Sequence, residues 1–143
     1  MTMRVAIVSA ETEIFSGEAD MVVATARFGE IGIKPKHAPL LAALKPGHIR
    51  LLYDNNPNEE KIFYVSSGYL EVQPDCVTIL ADTAMRADDL DEEKAKEALA
   101  KAKALLHDHK GSDIDYSKAL AELAEASAQL AILHKHLKSK ERH

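Results

Sequence analysis

The sequence is poor in the residues that mark several common classes of protein. It has one cysteine, no tryptophan and six glycines among its 143 residues. The lone cysteine, Cys76, allows no internal disulfide and fits a reducing compartment. No apolar run approaches the ~20 residues that a membrane-spanning helix needs. The first residues, MTMRVAIVSAETE, carry acids too early for a secretory signal, so we expect a cytosolic protein.

Basic residues are also in the minority. The chain has 23 acidic and 18 basic residues, a formal net charge of −5, and residues 1–86 and 87–143 are each acidic. Proteins that bind nucleic acid present a basic surface to the phosphates. We therefore expect no nucleic-acid partner.

Common catalytic motifs are missing from the sequence. The chain has no GxxxxGKS/T phosphate loop, no HExxH metal motif and no GxSxG nucleophile motif. His134 and His136 are two positions apart on a predicted helix, so their side chains point about 200° apart and do not chelate one ion together. The sequence predicts neither catalytic residues nor a metal site, and therefore no independent enzyme.

The residues that are abundant divide the chain at residue 86. Residues 1–86 contain all five prolines, five of the six glycines and every valine, whereas residues 87–143 contain twelve alanines and no proline. Valine with glycine and proline is typical of short strands and turns, and alanine is typical of helices. We expect a β-rich domain over 1–86 and a helical domain over 87–143.

Short apolar runs alternate with turn signals in residues 1–86. Ser16-Gly17 and Lys45-Pro46-Gly47 are two of the predicted turns. Alternation along a strand places Ile49 and Leu51 on one face. About eight to ten short strands, punctuated in this way, predict an antiparallel sandwich or barrel.

Residues 87–143 predict two helices joined by a loop near 107–112. An acid at Asp89, followed three positions later by Glu92, is typical of a helix N-terminus. In the second helix, steps of four and three residues predict one buried face. That stripe comprises Tyr116, Leu120, Leu123, Ser127, Leu130, His134 and Leu137, and it is broadened by Ala119, Ala126 and Leu133.

A helical hairpin of this composition buries little apolar surface. An alanine row, at ~0.8 kcal/mol per CH₂-sized group, does not offset the ~1–2 kcal/mol per residue that backbone ordering costs. We therefore expect the hairpin to need the sandwich or another protein to cover it. Exchange between those two partners would make it a mobile interaction arm.

Several motifs, in the same order, resemble the epsilon subunit of bacterial F-type ATP synthase. They are residues 29–41 (GEIGIKPKHAPLL), 44–47 (LKPG), 67–72 (SGYLEV), 77–82 (VTILAD) and the helical stretch 115–130. The resemblance covers nearly the whole chain. It implies an all-β N-terminal domain, a flattened antiparallel β-sandwich, followed by an α-helical hairpin, which agrees with the split at residue 86.

The resemblance also implies a non-catalytic rotor-stalk subunit. The sandwich would lie between the gamma subunit and the membrane-embedded c-ring and help couple proton flow to ATP synthesis. The helices would switch from a compact hairpin to an extended form that reaches the alpha and beta subunits and inhibits ATP hydrolysis. The implied location is the cytoplasmic face of the bacterial inner membrane, with membrane association only through the complex.

By the same resemblance, the interface with the c-ring and the gamma subunit maps onto a glycine-rich loop and the segment beside it. The loop consists of Gly29, Glu30, Ile31 and Gly32, and the adjoining residues are His37, Ala38, Pro39 and Leu40. Without the resemblance, Glu30 would be a solvated acid in a glycine turn. His37 would then be a turn histidine bonded to backbone.

Some bacterial members of the family bind ATP through Ile or Leu, Asp, two variable residues, Arg and Ala. Here the pattern reads Leu90-Asp91-Glu92-Glu93-Lys94-Ala95, so Lys94 stands where the pattern has arginine. Lysine lacks the planar fork that suits bidentate phosphate contact. The substitution weakens the case for ATP as a regulatory ligand at Leu90, Asp91, Lys94 and Ala95, and no other cofactor is expected.

The C-terminus is the one basic stretch of this acidic chain. Its residues include His134, Lys135, Lys138 and Lys140. In the family, the corresponding end approaches an acidic segment of the beta subunit in the extended form, so we predict that charge attraction here helps hold the inhibitory state. The alternative is that these residues only complement the dipole of a helix C-terminus.

Two other function classes stay open from the sequence. One is a stand-alone β-sandwich that binds a small ligand and whose helices dimerise. The other is an independent nucleotide-binding switch. Co-purification with a gamma subunit would favour the stalk subunit, and a folded homodimer without a stalk partner would favour the ligand-binding sandwich.

Overall fold

The computed structural model of the chain describes residues 2–10, 12–56, 58–107 and 113–141, without the side chains of 113–115 and 137–141. Most of the predicted loop at 107–112 therefore lies outside the described residues. Within them the chain forms nine strands, a short 3-10 turn and two α-helices. The predicted fold class, an all-β domain followed by two helices, is confirmed.

The strands form one mixed sheet that folds into the two layers of a sandwich. They are β1 (Met3–Ser9), β2 (Glu13–Ala19), β3 (Met21–Ala26), β4 (Gly29–Ile33), β5 (Leu40–Leu52), β6 (Glu60–Val65), β7 (Gly68–Val72), β8 (Cys76–Ala81) and β9 (Ala84–Arg86). Their order is β2-β1-β8-β7-β5-β3-β4, and β6 pairs with both β5 and β9. β4 therefore lies at one edge of the sheet.

The long strand β5 links the two layers. Its first part pairs with β7, where Leu44 lies opposite Gly68, and its second part pairs with β6, where Ile49 lies opposite Phe63. The predicted turn at Lys45-Pro46-Gly47 is wrong, because these residues lie inside β5, where its pairing with β3 shifts register. A bulge of this kind bends a strand without ending it and tolerates proline.

One strand pair is parallel, which corrects the prediction of a wholly antiparallel sandwich. β1 pairs with β8 in parallel, with Ile7 opposite Ile79. Most of the domain separates these two strands in sequence, so no hairpin forces them to run in opposite directions. The predicted turn at Ser16-Gly17 is also wrong, because both residues continue β2.

Alternate residues of the strands point between the layers and form the core. Ile49 and Leu51 are both fully buried, as strand alternation predicts. In β6, Phe63 and Val65 belong to this core, whereas Tyr64 points to the opposite face and is buried there. β6 is therefore covered on both sides, which requires an element outside the sandwich.

The helical domain begins with the 3-10 turn Ala87–Asp89, followed by α1 (Glu92–His107). The residue that caps α1 is Asp91, whose Oδ1 accepts a hydrogen bond from the backbone N–H of Lys94 at 3.2 Å. The prediction of Asp89 as the capping acid is therefore wrong. Asp89 belongs to the 3-10 turn, which ends before the helix begins.

The second helix, α2 (Asp113–Glu141), packs against α1 through small residues. The buried alanines of the two helices are Ala95, Ala102, Ala119 and Ala126. The buried face predicted for α2 is wrong at Tyr116 and Leu120, because both side chains are exposed. We call this contact of alanines between α1 and α2 the seam. Alanine lets two helix backbones approach closely, so the larger side chains lie at the sides of the seam.

The helix α2 also covers the outer face of β6. We call the apolar contact between them the docking cluster, which consists of Ile62, Tyr64, Ala87, Leu90, Ile132 and Leu133. Fully burying one aliphatic side chain contributes ~1.5–3 kcal/mol. The two α2 anchors, Ile132 and Leu133, therefore contribute a few kcal/mol to this compact arrangement.

Candidate functional site

The first half of the predicted interface lies on the edge strand β4. Gly29, Glu30, Ile31 and Gly32 pair with β3, where Thr25 lies opposite Glu30. The prediction of a loop is therefore wrong, because these residues continue the sheet after a tight turn. Gly29 begins the strand with a φ of +134°, which favours glycine. Since β4 is an edge strand, its outer side can meet another chain.

Glu30 lies beside a histidine of β5. Glu30 Oε2 is 3.3 Å from His48 Nε2, and 57% of the Glu30 side chain but only 17% of the His48 side chain is exposed. The distance is that of an ion pair, but the geometry is not that of a hydrogen bond, so Nε2 has no hydrogen-bond partner among the described residues. Burial lowers the pKa of His48, Glu30 opposes that shift, and Lys135 adds to it. His48 therefore stays neutral at neutral pH and does not cancel the charge of Glu30.

The second half of the predicted interface is the loop over residues 34–39. The His37 Nδ1 is 2.7 Å from the carbonyl oxygen of Ala38. The alternative of a turn histidine bonded to backbone therefore matches the observed contact. Ala38 and Pro39 are exposed, and Leu40 is half-buried where β5 begins.

The loop is fastened to the turn between β7 and β8. The Lys36 backbone N–H donates to the carbonyl oxygen of Pro74 at 2.8 Å, and Lys36 Nζ is 3.2 Å from Asp75 Oδ1. Lys36 has a φ of +71°, a conformation that non-glycine residues adopt rarely. These contacts fix the position of the exposed Ala38 and Pro39 relative to the sandwich.

The stretch predicted for ATP binding forms the start of α1. Leu90 and Ala95 are buried, and Asp91 bonds the backbone N–H of Lys94. Leu90 belongs to the docking cluster, so this stretch contacts both the sandwich and α2. The Lys94 side chain is exposed. In the compact arrangement, three of the four residues are engaged in packing or capping.

Two histidines of the basic C-terminal stretch contact different carboxylates. His134 Nε2 is 3.8 Å from Glu92 Oε1 of α1. His136 Nε2 is 2.6 Å from Asp88 Oδ1 in the 3-10 turn. The two imidazoles therefore point in different directions, in line with their spacing along a helix.

The lysines of this stretch are described only in part. Lys135 lies on α2 close enough to His48 to act on its pKa. It thereby brings the end of the helical domain to the same residue that contacts Glu30. The side chains of Lys138 and Lys140 lie outside the described residues, so the predicted role of these two lysines stays a prediction.

Sequence reasoning missed an exposed apolar patch on the layer that contains β7 and β8. The patch consists of Leu41 (67% exposed), Tyr69 (56%) and Leu80 (49%) on neighbouring strands, and Phe28 (71%) is separately exposed in the turn between β3 and β4. Tyr69 lies opposite Leu80, and both point outward because Leu70 and Ile79 point into the core. Strand alternation in the sequence could have identified these outward positions, where such large apolar residues are uncommon.

The described residues form neither a membrane-spanning helix nor a cluster of metal ligands. In the described part of the chain, no helix is long and apolar enough to cross a membrane. Across the same ranges, no three His, Cys, Asp or Glu side chains lie together as a metal site would require. A groove lined in part by Arg27, Tyr69 and Leu80 borders the apolar patch.

Both halves of the chain match one protein family. The pattern of the ATP synthase delta/epsilon chain β-sandwich domain matches residues 2–87, and that of the long α-helix domain matches residues 88–133. The chain belongs to the ATP synthase delta/epsilon family. The resemblance to the bacterial epsilon subunit is thereby confirmed.

Individual members of the delta/epsilon family agree with this assignment. The chain is 54% identical over 135 residues to the ATP synthase epsilon chain of Thioalkalivibrio sulfidiphilus, covering 94% of both proteins. A chain of the Euglena gracilis mitochondrial ATP synthase superposes with a TM-score of 0.81 at 19% identity, covering 93% of this chain and 82% of that one. A chain of the Tetrahymena thermophila mitochondrial ATP synthase central stalk and c-ring superposes with a TM-score of 0.65 at 13% identity, covering 93% of this chain and 97% of that one. At these identities the two structures show the fold alone.

Proposed function

We propose that this chain is a non-catalytic subunit of the central stalk of a bacterial F-type ATP synthase. The sandwich, residues 1–86, binds the gamma subunit and the c-ring and helps couple proton flow to ATP synthesis. The helical domain, residues 87–143, regulates ATP hydrolysis. Family membership supports this role. The observation that carries it is the contrast between two outer faces, one with an exposed apolar patch and one covered by a lightly attached pair of helices.

The apolar patch is the surface that we assign to the gamma subunit. An exposed cluster of large apolar side chains on one layer of a small sandwich is typical of a protein–protein interface. Arg27 lines the groove beside Tyr69 and Leu80 and supplies the polar rim that such interfaces have.

The edge strand β4 and the adjoining loop are the surface that we assign to the c-ring. Glu30 supplies an exposed negative charge that His48 does not neutralise. Ala38 and Pro39 are small, exposed residues on a loop that Lys36 fastens to the sandwich. This surface suits a polar loop better than an apolar partner.

Substitution within the apolar patch tests the stalk assignment. We expect Leu80→Asp to weaken retention by the gamma subunit by about tenfold or more, because a buried unpaired carboxylate costs several kcal/mol. Leu105→Asp is the matched control, because Leu105 is 50% exposed on α1, outside the patch. Retention is measured by co-purification of each variant with gamma from the assembled enzyme. An equal loss for both variants, or none for Leu80→Asp, would contradict the assignment.

The helical domain is proposed as a movable inhibitor of ATP hydrolysis. Its contact with the sandwich centres on the docking cluster, and the contact between α1 and α2 consists of alanines, which bury little apolar surface. Once extended, it reaches the alpha and beta subunits. There His134, Lys135, Lys138 and Lys140 meet an acidic segment, and salt weakens that contact.

Truncation tests the inhibitory role. Removal of residues 87–143 should raise the ATPase activity of the assembled enzyme several-fold, while the sandwich stays bound to gamma. The comparison is made at equal subunit content, with gamma retention as the control. Unchanged activity in a fully assembled enzyme would leave only the structural role of the sandwich.

Binding of ATP at Leu90, Asp91, Lys94 and Ala95 is a separate proposal. It requires Asp91 to exchange its helix-capping bond for a nucleotide contact, and Leu90 to leave the docking cluster. Calorimetry of the full chain with ATP, repeated with Lys94→Arg, measures it. Heat of binding that increases with arginine would support the proposal, and no heat with either protein would discard it.

The proposed location is the cytoplasmic face of the bacterial inner membrane, reached only through the assembled complex. Fractionation tests this location. The chain should sediment with membranes that hold the whole enzyme and leave them together with the other stalk subunits. A chain that stays in the supernatant of cells with an assembled enzyme would contradict it.

A further inference from the structure

One contact joins the end of α2 to the turn between the two domains. His136 Nε2 is 2.6 Å from Asp88 Oδ1, and only 16% of the His136 side chain is exposed. Since a carboxylate oxygen accepts, the Nε2–H of His136 donates. A short hydrogen bond with a charged partner is stronger than one between neutral groups.

This contact differs from that of the neighbouring histidine. His134 is 3.8 Å from Glu92, with 59% of its side chain exposed, and both residues belong to the helical hairpin. At this distance and exposure, that contact contributes little to holding α2 in place, and it does not tie α2 to the sandwich. Asp88, by contrast, follows Ala87, which is buried in the docking cluster and held against the sandwich. Departure of α2 from the sandwich breaks the bond between His136 and Asp88.

The hydrogen bond between His136 and Asp88 lies next to the docking cluster along the chain. His136 follows Ile132 by one helical turn, and Ile132 packs with Leu90 and Ala87 in the docking cluster. The His136 side chain is mostly shielded from water, with 16% of it exposed. The 61% exposure of the Asp88 side chain admits water to the carboxylate, which limits the strength of the bond.

We infer that His136 and Asp88 form a latch that holds the helical domain in its compact arrangement. The inference rests on the proposed regulatory function, in which the compact arrangement does not inhibit. It assigns opposing roles to adjacent residues of the basic stretch. His136 favours the compact arrangement, whereas His134 and Lys135 contact a partner in the extended one.

A distance measurement on the full chain tests the latch directly. Spin labels are attached at Asn55→Cys on the sandwich and Ser127→Cys on α2, both exposed positions, in a Cys76→Ser background. We expect Asp88→Asn and His136→Ala each to raise the ratio of extended to compact chains about three- to tenfold, the size of one partly exposed charged hydrogen bond. The double variant should change the ratio no more than either single variant, because both remove the same bond.

Two controls separate the latch from general effects of charge and helix propensity. Asp89→Asn removes an exposed acid from the same 3-10 turn, and His134→Ala removes the neighbouring imidazole of α2. Both should leave the ratio within twofold of the parent. The latch is wrong if Asp88→Asn and His136→Ala stay within twofold, or if the controls match them.

The same variants distinguish failure of the latch from failure of the proposed function. In the assembled enzyme, Asp88→Asn should lower ATPase activity, because more chains reach the inhibitory arrangement. A raised ratio of extended to compact chains without any change of ATPase activity supports the latch and counts against the inhibitory role. An unshifted ratio overturns the latch, whatever truncation of residues 87–143 does to activity.

Discussion

His48 takes its properties from elements that are far apart in the sequence. Burial lowers its pKa, Glu30 of β4 raises it in part, and Lys135 of α2 lowers it further. When folding lowers the pKa of a histidine, the unfolded chain binds the proton more readily than the folded chain. The folded state is therefore favoured at pH values above the unfolded pKa, and this advantage is lost as the pH falls through the folded pKa. Of these causes only Lys135 is known to belong to α2, and its repulsion of a protonated His48 opposes docking of α2 in acid.

Two glycines with positive φ show how a single residue can be required for different reasons. Gly68 has a φ of +144°, and a Cβ placed there would lie 1.9 Å from the carbonyl oxygen of Leu80. Gly29 has a φ of +134°, but nothing lies within 4 Å of such a Cβ. The first position combines backbone strain with a steric clash, and the second has strain alone.

We predict that Gly68→Ala costs roughly 3 kcal/mol or more in the free energy of unfolding, because strain and overpacking add. Gly29→Ala should cost about 1 to 2 kcal/mol, from strain alone. Chemical denaturation of the full chain, followed by a probe in the sandwich, measures both. A Gly29→Ala cost equal to that of Gly68→Ala would show that the clash is relieved by movement of β8.

At the scale of elements, the alanine seam determines how closely α1 and α2 approach. Ala102 has no exposed surface and Ala126 only 2%, whereas Leu105 at a flank is half exposed. The sequence predicted two helices and their alanine content. It placed Ala119 and Ala126 in the buried face but centred that face on larger residues such as Tyr116 and Leu120, because a row of alanines has a weaker periodic signal than the larger residues beside it.

We predict that Ala102→Leu destabilises the hairpin by about 1 to 3 kcal/mol, because three added carbon atoms force the helices apart. Ala104→Leu, at an exposed position of the same helix, is the matched control and should stay within about 0.5 kcal/mol. Thermal unfolding followed by helical circular dichroism measures the difference. Equal stability of the two variants would place the seam elsewhere on α1.

At the scale of the whole molecule, two outer faces of the sandwich differ in what covers them. One exposes the apolar patch, and the other is covered by α2 through the docking cluster. The interface beneath α2 also contains polar groups. Burial raises the pKa of Tyr64 to about 12, and burial, with Glu122 and Asp82, raises the pKa of Glu125.

The raised pKa of Glu125 predicts a pH dependence of docking. A carboxyl group that binds its proton more tightly when docked favours docking at low pH, and this contribution is lost as the pH rises through the docked value. Glu125→Gln should therefore shift the chain toward the compact arrangement at pH 7, and the difference from the parent should shrink toward pH 4. The spin-label distance between positions 55 and 127 measures the shift.

The control for this prediction is Glu97→Gln, which removes an exposed acid from α1. It should leave the ratio of extended to compact chains unchanged across the same pH range. Because His48 opposes docking in acid, the variants are compared with the parent at each pH. A Glu125→Gln effect that does not vary with pH would contradict the prediction.

The sequence by itself determined the fold class, the change of composition near residue 86 and the family, because strand alternation, helix periodicity and ordered motifs are properties of neighbouring residues. The tertiary structure decided that Lys45-Pro46-Gly47 is a bend within β5 and that β1 and β8 run parallel. It alone brought His48 beside Glu30 and His136 beside Asp88. Such contacts depend on which distant segments pair, and local residue patterns do not encode that choice.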